Sequence, residues 1–434
     1  MWITEHRQPE FLRLIFSSIT GKTHSVEVGQ DGIDDALQNG VYFDGSSVKG
    51  YAAVNSSDLL LKPISSDITP LPWTPNVAVM PCGVYDASGR PHSGDPRSVL
   101  GVVAEKARAM EMKLVAGSEL EFFLVRTLHG KSIEPADRGG YFATAPSDGA
   151  LALRRKIVTS LKALGISATT HHHEVAPGQH EIGLRHMEVM TAADHVVVSK
   201  LAIAELAATE GLTATFMPKP FSGTNGSGMH IHLSLWDTDM EDNLFARNYP
   251  GELSEIAKHF VAGLLDHAGA LAAIVAPTVN SFKRLKPGYE APTRIAWGPL
   301  NRTTMIRVPL YNGSKAKARV EFRCPDPSCG PHLAMAAVLA AGLDGIEKSL
   351  VPPAPTTEDL FESSTETASL PSTLGEALDK FSKDTVLRSA LGSELVDKYV
   401  ALREAEWAEY LELHASPSPS EVTDWEIARY LLAN

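Results

Sequence analysis

Cysteine is scarce in this chain. Cys82, Cys324 and Cys329 are the three cysteines among 434 residues, and no two form a CxxC pair. So sparse and odd-numbered a set excludes a disulfide framework and offers no zinc-ribbon or redox motif, and the three read as buried thiols. Long apolar runs are missing too: nothing approaches the roughly 18 consecutive apolar residues of a membrane-spanning helix. Met1-Trp2-Ile3-Thr4-Glu5-His6-Arg7 lacks the basic-then-apolar layout of a secretory signal, so a cytoplasmic, reducing location is expected. Positive charge is in deficit. The formal net charge of -13 disfavours nucleic acid or an anionic membrane as partner, but it leaves anionic small molecules open. Repeats, low-complexity runs and glycine-rich phosphate loops of the Walker or dinucleotide kind do not occur. Gly223-Thr224-Asn225-Gly226-Ser227-Gly228 has neither spacing, and it leads into a strand pattern rather than a helix.

The composition that remains forms cores, with 44% hydrophobic and 21% charged residues. The length suits one large domain plus a smaller one, or two to three domains. A turn-rich stretch from Asp86 to Asp95, with Gly89, Pro91 and Gly94, marks a boundary, and domains of 1–95 and 96–434 are expected.

The stretch around which the chain is organised runs from Asn225 to Trp236. In an extended strand side chains alternate faces, so His230, His232 and Ser234 share one side, with Met229, Ile231, Leu233 and Leu235 on the other. Taken alone, this also fits a half-buried strand whose polar face meets water. The pattern recurs, however. Glu119 and Glu121 share a face of a strand over 117–125, Arg319, Glu321 and Arg323 share a face of another, and Glu174 and Glu181 flank a Pro-Gly turn between two strands.

Other elements follow from periodicity. Strands are expected at 11–16, 23–28, 59–63 and 77–80, and helices at 31–39, 97–112, 151–164, 188–210, 252–275 and 331–348. The tail from 374 is expected to be helical, anchored by Trp407, Tyr410 and Trp425. Residues 280–292 read as a long loop containing Pro287 and Pro292, and residues 351–373 as a surface excursion.

Carboxylates in such number repel one another unless cations neutralise them. Hard oxygen donors with one imidazole suit Mg²⁺ or Mn²⁺ rather than zinc or copper, and two such ions would clamp a polyphosphate. Arg284, Arg302, Arg307, Arg319 and Arg323 cluster nearby in sequence. Guanidinium groups hold carboxylates and phosphates bidentately, which points to an anionic ligand, although surface salt bridges would use the same residues.

Phe43-Asp44-Gly45-Ser46-Ser47, Glu119-Leu120-Glu121-Phe122-Phe123, the run His172 to Glu181, Lys219-Pro220 with Asn225 to His230, Asn280 to Pro292, and Asn301-Arg302 through Arg323 occur in this order. Together they resemble type I glutamine synthetase (glutamate–ammonia ligase), from about residue 10 to the C-terminus. The resemblance implies an α+β fold: an N-terminal β-grasp domain, then a catalytic domain with a curved antiparallel sheet and surrounding helices. It also implies a double-ringed homododecamer with active sites between subunits. The substrates it implies are L-glutamate, ammonium and ATP, with two to three Mg²⁺ or Mn²⁺ per site. Carried over by position, Glu119, Glu121, Glu174, Glu181, His230 and Glu321 would hold metal. Asn225, Gly226, Arg284, Arg302 and Arg323 would meet glutamate, and His232, Ser234, Arg307 and Arg319 the nucleotide. Asp44, Tyr141 and Glu290 would form the ammonium site, with Ser47 close by.

The chain departs from the family pattern in places. Thr169 stands where a glutamate is usual, Gly330-Pro331-His332 replaces Asn-Pro-Tyr, and Trp297-Gly298-Pro299-Leu300 is unusual. Asp359-Leu360-Phe361 replaces the tyrosine segment of adenylylated members, and the spacing of Glu174 and Glu181 resembles the non-adenylylated, alpha-like subgroup. Two alternatives are carried: a γ-glutamyl ligase for a polyamine or alkylamine, and a non-catalytic structural or nitrogen-sensing relative. Retention of Asp44 favours ammonia, and the intact metal and arginine sets speak against a silent relative.

Overall fold

The computed structural model describes residues 9–433 except 67, 129–131, 248–251, 312–313, 364–366, 415–417 and 419. Two sheets organise the chain. The first is a mixed six-stranded sheet in the order Thr23–Gly29, Phe11–Ser17, Val77–Tyr85, Asp58–Pro63, Val41–Asp44, with Thr69–Pro70 added to Val77–Tyr85. Phe11–Ser17 and Val77–Tyr85 run parallel, and the remaining pairs are antiparallel. The helix Ile33–Asn39 buries Ile33 and Ala36 against this sheet. This is the expected β-grasp unit, and Val41–Asp44 is its open edge.

The second sheet has ten strands. Its main path is Trp297–Pro299, Ile306–Val308, Val320–Phe322, Met229–Asp237, Met112–Leu128, Gln179–Leu184, Ala168–His173. All its pairings are antiparallel except Trp297–Pro299 with Ile306–Val308. Behind it lie the helices Pro96–Ala109, Val189–Thr209, Glu255–Asp266 and Pro331–Glu347. The last is almost wholly buried, as its alanine content predicts. It approaches Glu255–Asp266 so closely that a Cβ on Gly263 would sit 2.1 Å from the Ala341 carbonyl oxygen. Glycine is therefore required at that crossing.

On the strand Met229–Asp237 the apolar face behaves as the alternation demands. Met229, Ile231, Leu233 and Leu235 are all 0% exposed, each contributing about 2 kcal/mol of burial. The opposite face does not meet bulk water: His230, His232 and Ser234 are buried as well.

Other details differ from the sequence expectation. The helix from 97 stops at Ala109, and Glu111 turns the chain with φ +59°, so the following strand starts at Met112 rather than 117. The expected helix over 252–275 divides at His267, whose imidazole is gripped by Asp384 (2.6 Å) and Asp344 (3.2 Å). Residues 280–292 open with a helical turn, Ser281–Arg284, before becoming loop. Among the described residues the tail forms four helices, and Tyr410 is buried between Trp407 and Trp425 at ring distances of 5.8 and 5.3 Å. In the 351–373 stretch Leu360 and Leu370 are buried, so it is pinned to the body, and residues 364–366 lie outside those described. Gly330 has a physical reason: at the seam between the sheets it packs on Gly21 (φ +87°), where a Cβ would lie 2.6 Å from the Gly330 nitrogen. His332 accounts for its own burial by pairing with Asp194 at 2.9 Å.

Candidate active site

Register builds the site. Directly opposite residues on antiparallel neighbours share a sheet face. Arg307 stands opposite Glu321, Glu321 opposite His232, and His230 opposite Glu119. Glu121 then stands opposite Glu181, and Glu181 opposite His172. Five adjacent pairings thus lay one row of charged and imidazole groups across the sheet. The row, apart from His232 and Glu321, floors a cavity of about 730 Å³, lined also by Tyr141, Glu174, Gln179, Asn225, Gly226, Arg284, Glu290, Arg302 and Arg323.

Two triads are distinct within it. In the first, Glu119, His230 and Glu321 bring ligand atoms within 4.8 Å of one another. This triad is already compensated. Glu321 accepts from Arg323 Nη1 (2.6 Å) and Arg307 Nε (2.5 Å), and Glu119 meets His230 Nδ1 (3.2 Å) and His232 Nε2 (2.8 Å). Burial pushes both carboxyls up, but their partners overcome it. Glu119 is held far below the usual carboxylate range by its two histidines, and Glu321 is held down to about 2 by His232 and Arg323. Arg319 Nε donates to His232 Nδ1 at 3.1 Å, which leaves Nε2–H to face Glu119. Burial, then Arg323, brings His230 down to about 4, leaving a neutral imidazole suited to ligation.

The second triad is His172, Glu174 and Glu181, whose ligand atoms also lie within 4.8 Å of one another, with His172 Nε2 3.2 Å from Glu181 and Glu121 standing opposite Glu181 beside them. Its carboxylates are less well compensated. Burial, then Glu174 and Glu181, pushes Glu121 well above the usual range, and burial, then Glu181, pushes Glu174 up to about 7. Gln179 Nε2 and the Gly228 N–H each donate to Glu121 Oε2 at 2.9 Å, which fixes its orientation without supplying charge. Three hard oxygen donors crowded at such electrostatic cost fit a divalent cation, and the fit is a property of these residues themselves.

Guanidinium groups and loops form the rest of the wall. Arg284 is buried and anchored by donating to the carbonyls of Cys324 (2.9 Å) and Arg323 (3.1 Å). Arg302 stands exposed on the rim, and no ion pair engages it among the described residues. Asn225 Nδ2 donates to Glu290 Oε2 at 2.9 Å, bridging two loops over the opening. Glu290 takes φ +55°, a left-handed conformation unusual outside glycine.

The sequence-derived site residues divide into three groups. Tyr141, Asn225, Gly226, Arg284, Glu290, Arg302, Arg307 and Arg323 line the cavity with the acidic row. Glu321, His232, Ser234 and Arg319 lie off it, Glu321 being 0% exposed and Ser234 accepting from Trp236 Nε1 at 3.0 Å. Asp44 is not brought to Tyr141 and Glu290 within the chain. It sits exposed on the edge strand of the first sheet, its carboxylate accepting from Ser46 (2.6 Å) and Ser47 (2.8 Å), which hold its pKa low. Sequence reasoning missed His172, Gln179, Tyr289 and Phe361 in the lining, and His186, which stacks on His232 at 5.6 Å. His172 and Gln179 carried a usable signal, each lying two residues from a singled-out glutamate. Phe361 carried none.

A cleft in which acidic triads and arginines share one sheet face defines a metal-assisted enzyme for anionic substrates. The comparisons with known proteins make the assignment specific. Family models of the glutamine synthetase β-grasp domain and catalytic domain match residues 8–87 and 93–430. A glutamine synthetase of Methanocaldococcus jannaschii is 43% identical over 98% of this chain and 95% of its own. The solved structure of a "GmaS/ADP complex" superposes with a TM-score of 0.87 at 33% identity, covering 98% of this chain and 97% of that one. The cryoEM structure of Plasmodium falciparum glutamine synthetase gives 0.84 at 26% identity, covering 93% and 94%. The chain belongs to the glutamine synthetase family, whose members use ATP and divalent metal ions.

Proposed function

We propose that this protein joins ammonia to the γ-carboxylate of L-glutamate through a γ-glutamyl phosphate, with ATP as phosphoryl donor, giving glutamine, ADP and phosphate. The observation that carries the reading is the Glu119–His230–Glu321 triad and, beside it, the cluster of His172, Glu174 and Glu181 with Glu121, walled by Arg284, Arg302, Arg307 and Arg323. Mg²⁺ or Mn²⁺, two to three per site, held by Glu119, His230 and Glu321 and by Glu121, Glu174 and Glu181, would neutralise these carboxylates and screen phosphoryl charge.

The chain's own residues do the rest. Arg284, fixed by two backbone carbonyls, and the Asn225-Gly226 turn bind and orient the amino acid. Arg307, Arg319, His232 and Ser234 hold the nucleotide on the far side of the same strand. Arg302 and Arg323 stabilise charge on the transferred phosphoryl group. Asn225 and Glu290, joined over the opening, exclude water from the acyl phosphate. Asp44 takes the proton from ammonium beside Tyr141 and Glu290. Because Asp44 projects from an exposed edge, it serves the cavity of a neighbouring copy, consistent with a dodecamer of two rings in the cytoplasm. Among the described residues no helix is long and apolar enough to cross a membrane. The domain division is placed at 95/96, where Asp95 caps the helix Pro96–Ala109.

A second reading, ligation of a larger amine, draws on the cavity mouth. There Tyr141 stacks on Phe142 at 4.0 Å and both rings meet His172 edge-on, an apolar wall suited to alkyl carbon. Phosphate release with glutamate and ATP, measured against ammonia, methylamine, ethanolamine and putrescine, separates the two. Ammonia is expected to lead, and a preference for putrescine would overturn the first reading. Asp44→Ala is expected to lower ammonia-dependent turnover by about 100-fold or more while ATP still binds, as for loss of a general base. Unchanged glutamine formation would remove Asp44 from the ammonium site.

A further inference from the structure

We infer that Lys219 is a positioning residue that ties the loop bearing Asn225 to the loop bearing Glu290, gripping the second through the ring of Tyr289. The inference rests on the proposed ligase reading and adds to it what holds the cover of the cavity shut. Lys219 is 0% exposed. Its ammonium donates to the carbonyl of Thr224, the residue before Asn225, and lies 3.2 Å from the centroid of the Tyr289 ring, the residue before Glu290. It therefore acts one residue back from each partner of the Asn225–Glu290 hydrogen bond. A carbonyl and a ring face are weak compensation for a buried ammonium, and burial brings its pKa down to about 8. A cation so placed holds tightly to the carbonyl and the ring it is offered.

The other end of Lys219 is fixed. Its N–H donates to Asn280 Oδ1 at 2.7 Å, and Asn280 Nδ2 returns a bond to its carbonyl at 2.9 Å. Asn280 also donates to Glu426 Oε1 at 2.8 Å, and Glu426 pairs with Lys283 at 2.5 Å beneath the turn that carries Arg284. Glu426 is set in turn by a capping box with Thr423 on the C-terminal helix Asp424–Tyr430. The anchor is thus rigid, and what it holds is loop.

The consequence is chemical. If the cover loosens, water reaches the acyl phosphate. Its oxygen bonds to the carbonyl carbon of the acyl phosphate, Cδ of the glutamyl group, the bond from that carbon to the phosphate oxygen breaks, and glutamate and phosphate leave with the released protons in solution. ATP is then consumed without amide formation.

The test is the number of phosphates released per glutamine formed. This ratio does not depend on how much of a variant is folded. Wild type is expected near one. Tyr289→Leu, which removes the ring from a half-exposed loop residue, is expected to raise the ratio about threefold or more, with the KM for ATP within about twofold of wild type. Tyr289→Phe keeps the face and is expected to stay near the wild-type ratio. Lys219→Met is expected to match Tyr289→Leu, and the double variant to add little beyond either. A wild-type ratio in Tyr289→Leu would overturn the inference. So would equal uncoupling in Tyr289→Phe, which would assign the effect to the hydroxyl. Failure of the ligase reading looks different: wild type itself would form no glutamine.

Discussion

The two acidic clusters meet where Glu119 and Glu121 stand two residues apart on one strand, yet they are opposite in charge balance. Glu119 and Glu321 are met by two histidines and two arginines and stay ionised. Glu121 and Glu174 face other carboxylates and are pushed toward the protonated form. Alternation along a strand brings both pairs to one face, so it cannot be the source of the difference. Cross-strand partners are: Glu119 stands opposite a histidine, Glu121 opposite a glutamate. One half of the site is therefore complete in the bare protein, and the other calls for an added cation before it can be charged at neutral pH.

Substitutions that remove the same charge from each half break this comparison most sharply. Glu321→Gln leaves the Arg307 and Arg323 guanidiniums without their shared buried carboxylate and is expected to destabilise the metal-free protein by about 3–5 kcal/mol. Thermal or urea unfolding in chelator measures it. Glu121→Gln should do the reverse. It replaces a largely protonated carboxyl with a neutral amide and relieves like-charge crowding, so stability in chelator should equal or exceed wild type, within about 1 kcal/mol. The stabilisation that saturating Mg²⁺ gives wild type should shrink in this variant, and its turnover should fall by about 100-fold or more. A Glu121→Gln protein as unstable as Glu321→Gln would erase the distinction.

The smallest effect is in pH. The folded-state pKa of Glu174 is raised to about 7, above its unfolded value, so its contribution is present at pH 4 and is lost as pH rises through 7. Glu321, held down to about 2, contributes in the opposite sense: its stability is present above the unfolded value and is lost as pH falls toward 2. Unfolding free energy in chelator should therefore decline between pH 5 and 7 by no more than about 3 kcal/mol. Saturating Mg²⁺ or Glu174→Gln should flatten that decline. A decline of equal size in wild type with and without Mg²⁺ and in Glu174→Gln would assign it to other groups.

Much of the fold and the acidic floor of the cavity were legible from period-2 alternation and turn residues, while Tyr141, Asn225, Gly226 and Glu290 in its lining came only with the family resemblance. The face of Met229–Asp237, the Glu119/Glu121 pair and the hairpin through Pro177-Gly178 were found where expected. The misses share a cause. The helix break at His267 depends on Asp344 and Asp384, 77 and 117 residues away. Phe361 enters the cavity from a segment with no periodicity of its own. The exposure of Asp44 is what an Asp-Gly turn implies, but its place at the end of an edge strand was not legible. Local pattern sees neighbours two to four residues apart, and each of these is set by partners far along the chain.

The sequence by itself determined which side chains share a face, because the period of a strand and the chemistry of each residue are local properties. It also determined that the site is acidic and walled by arginine. Which carboxylate meets a histidine and which meets another carboxylate was decided only by the tertiary structure. That depends on strand order and register, and the same residues one register step away would present different partners. Lys219 was likewise only a lysine beside a proline until the fold buried it and brought Thr224 and Tyr289 against its ammonium.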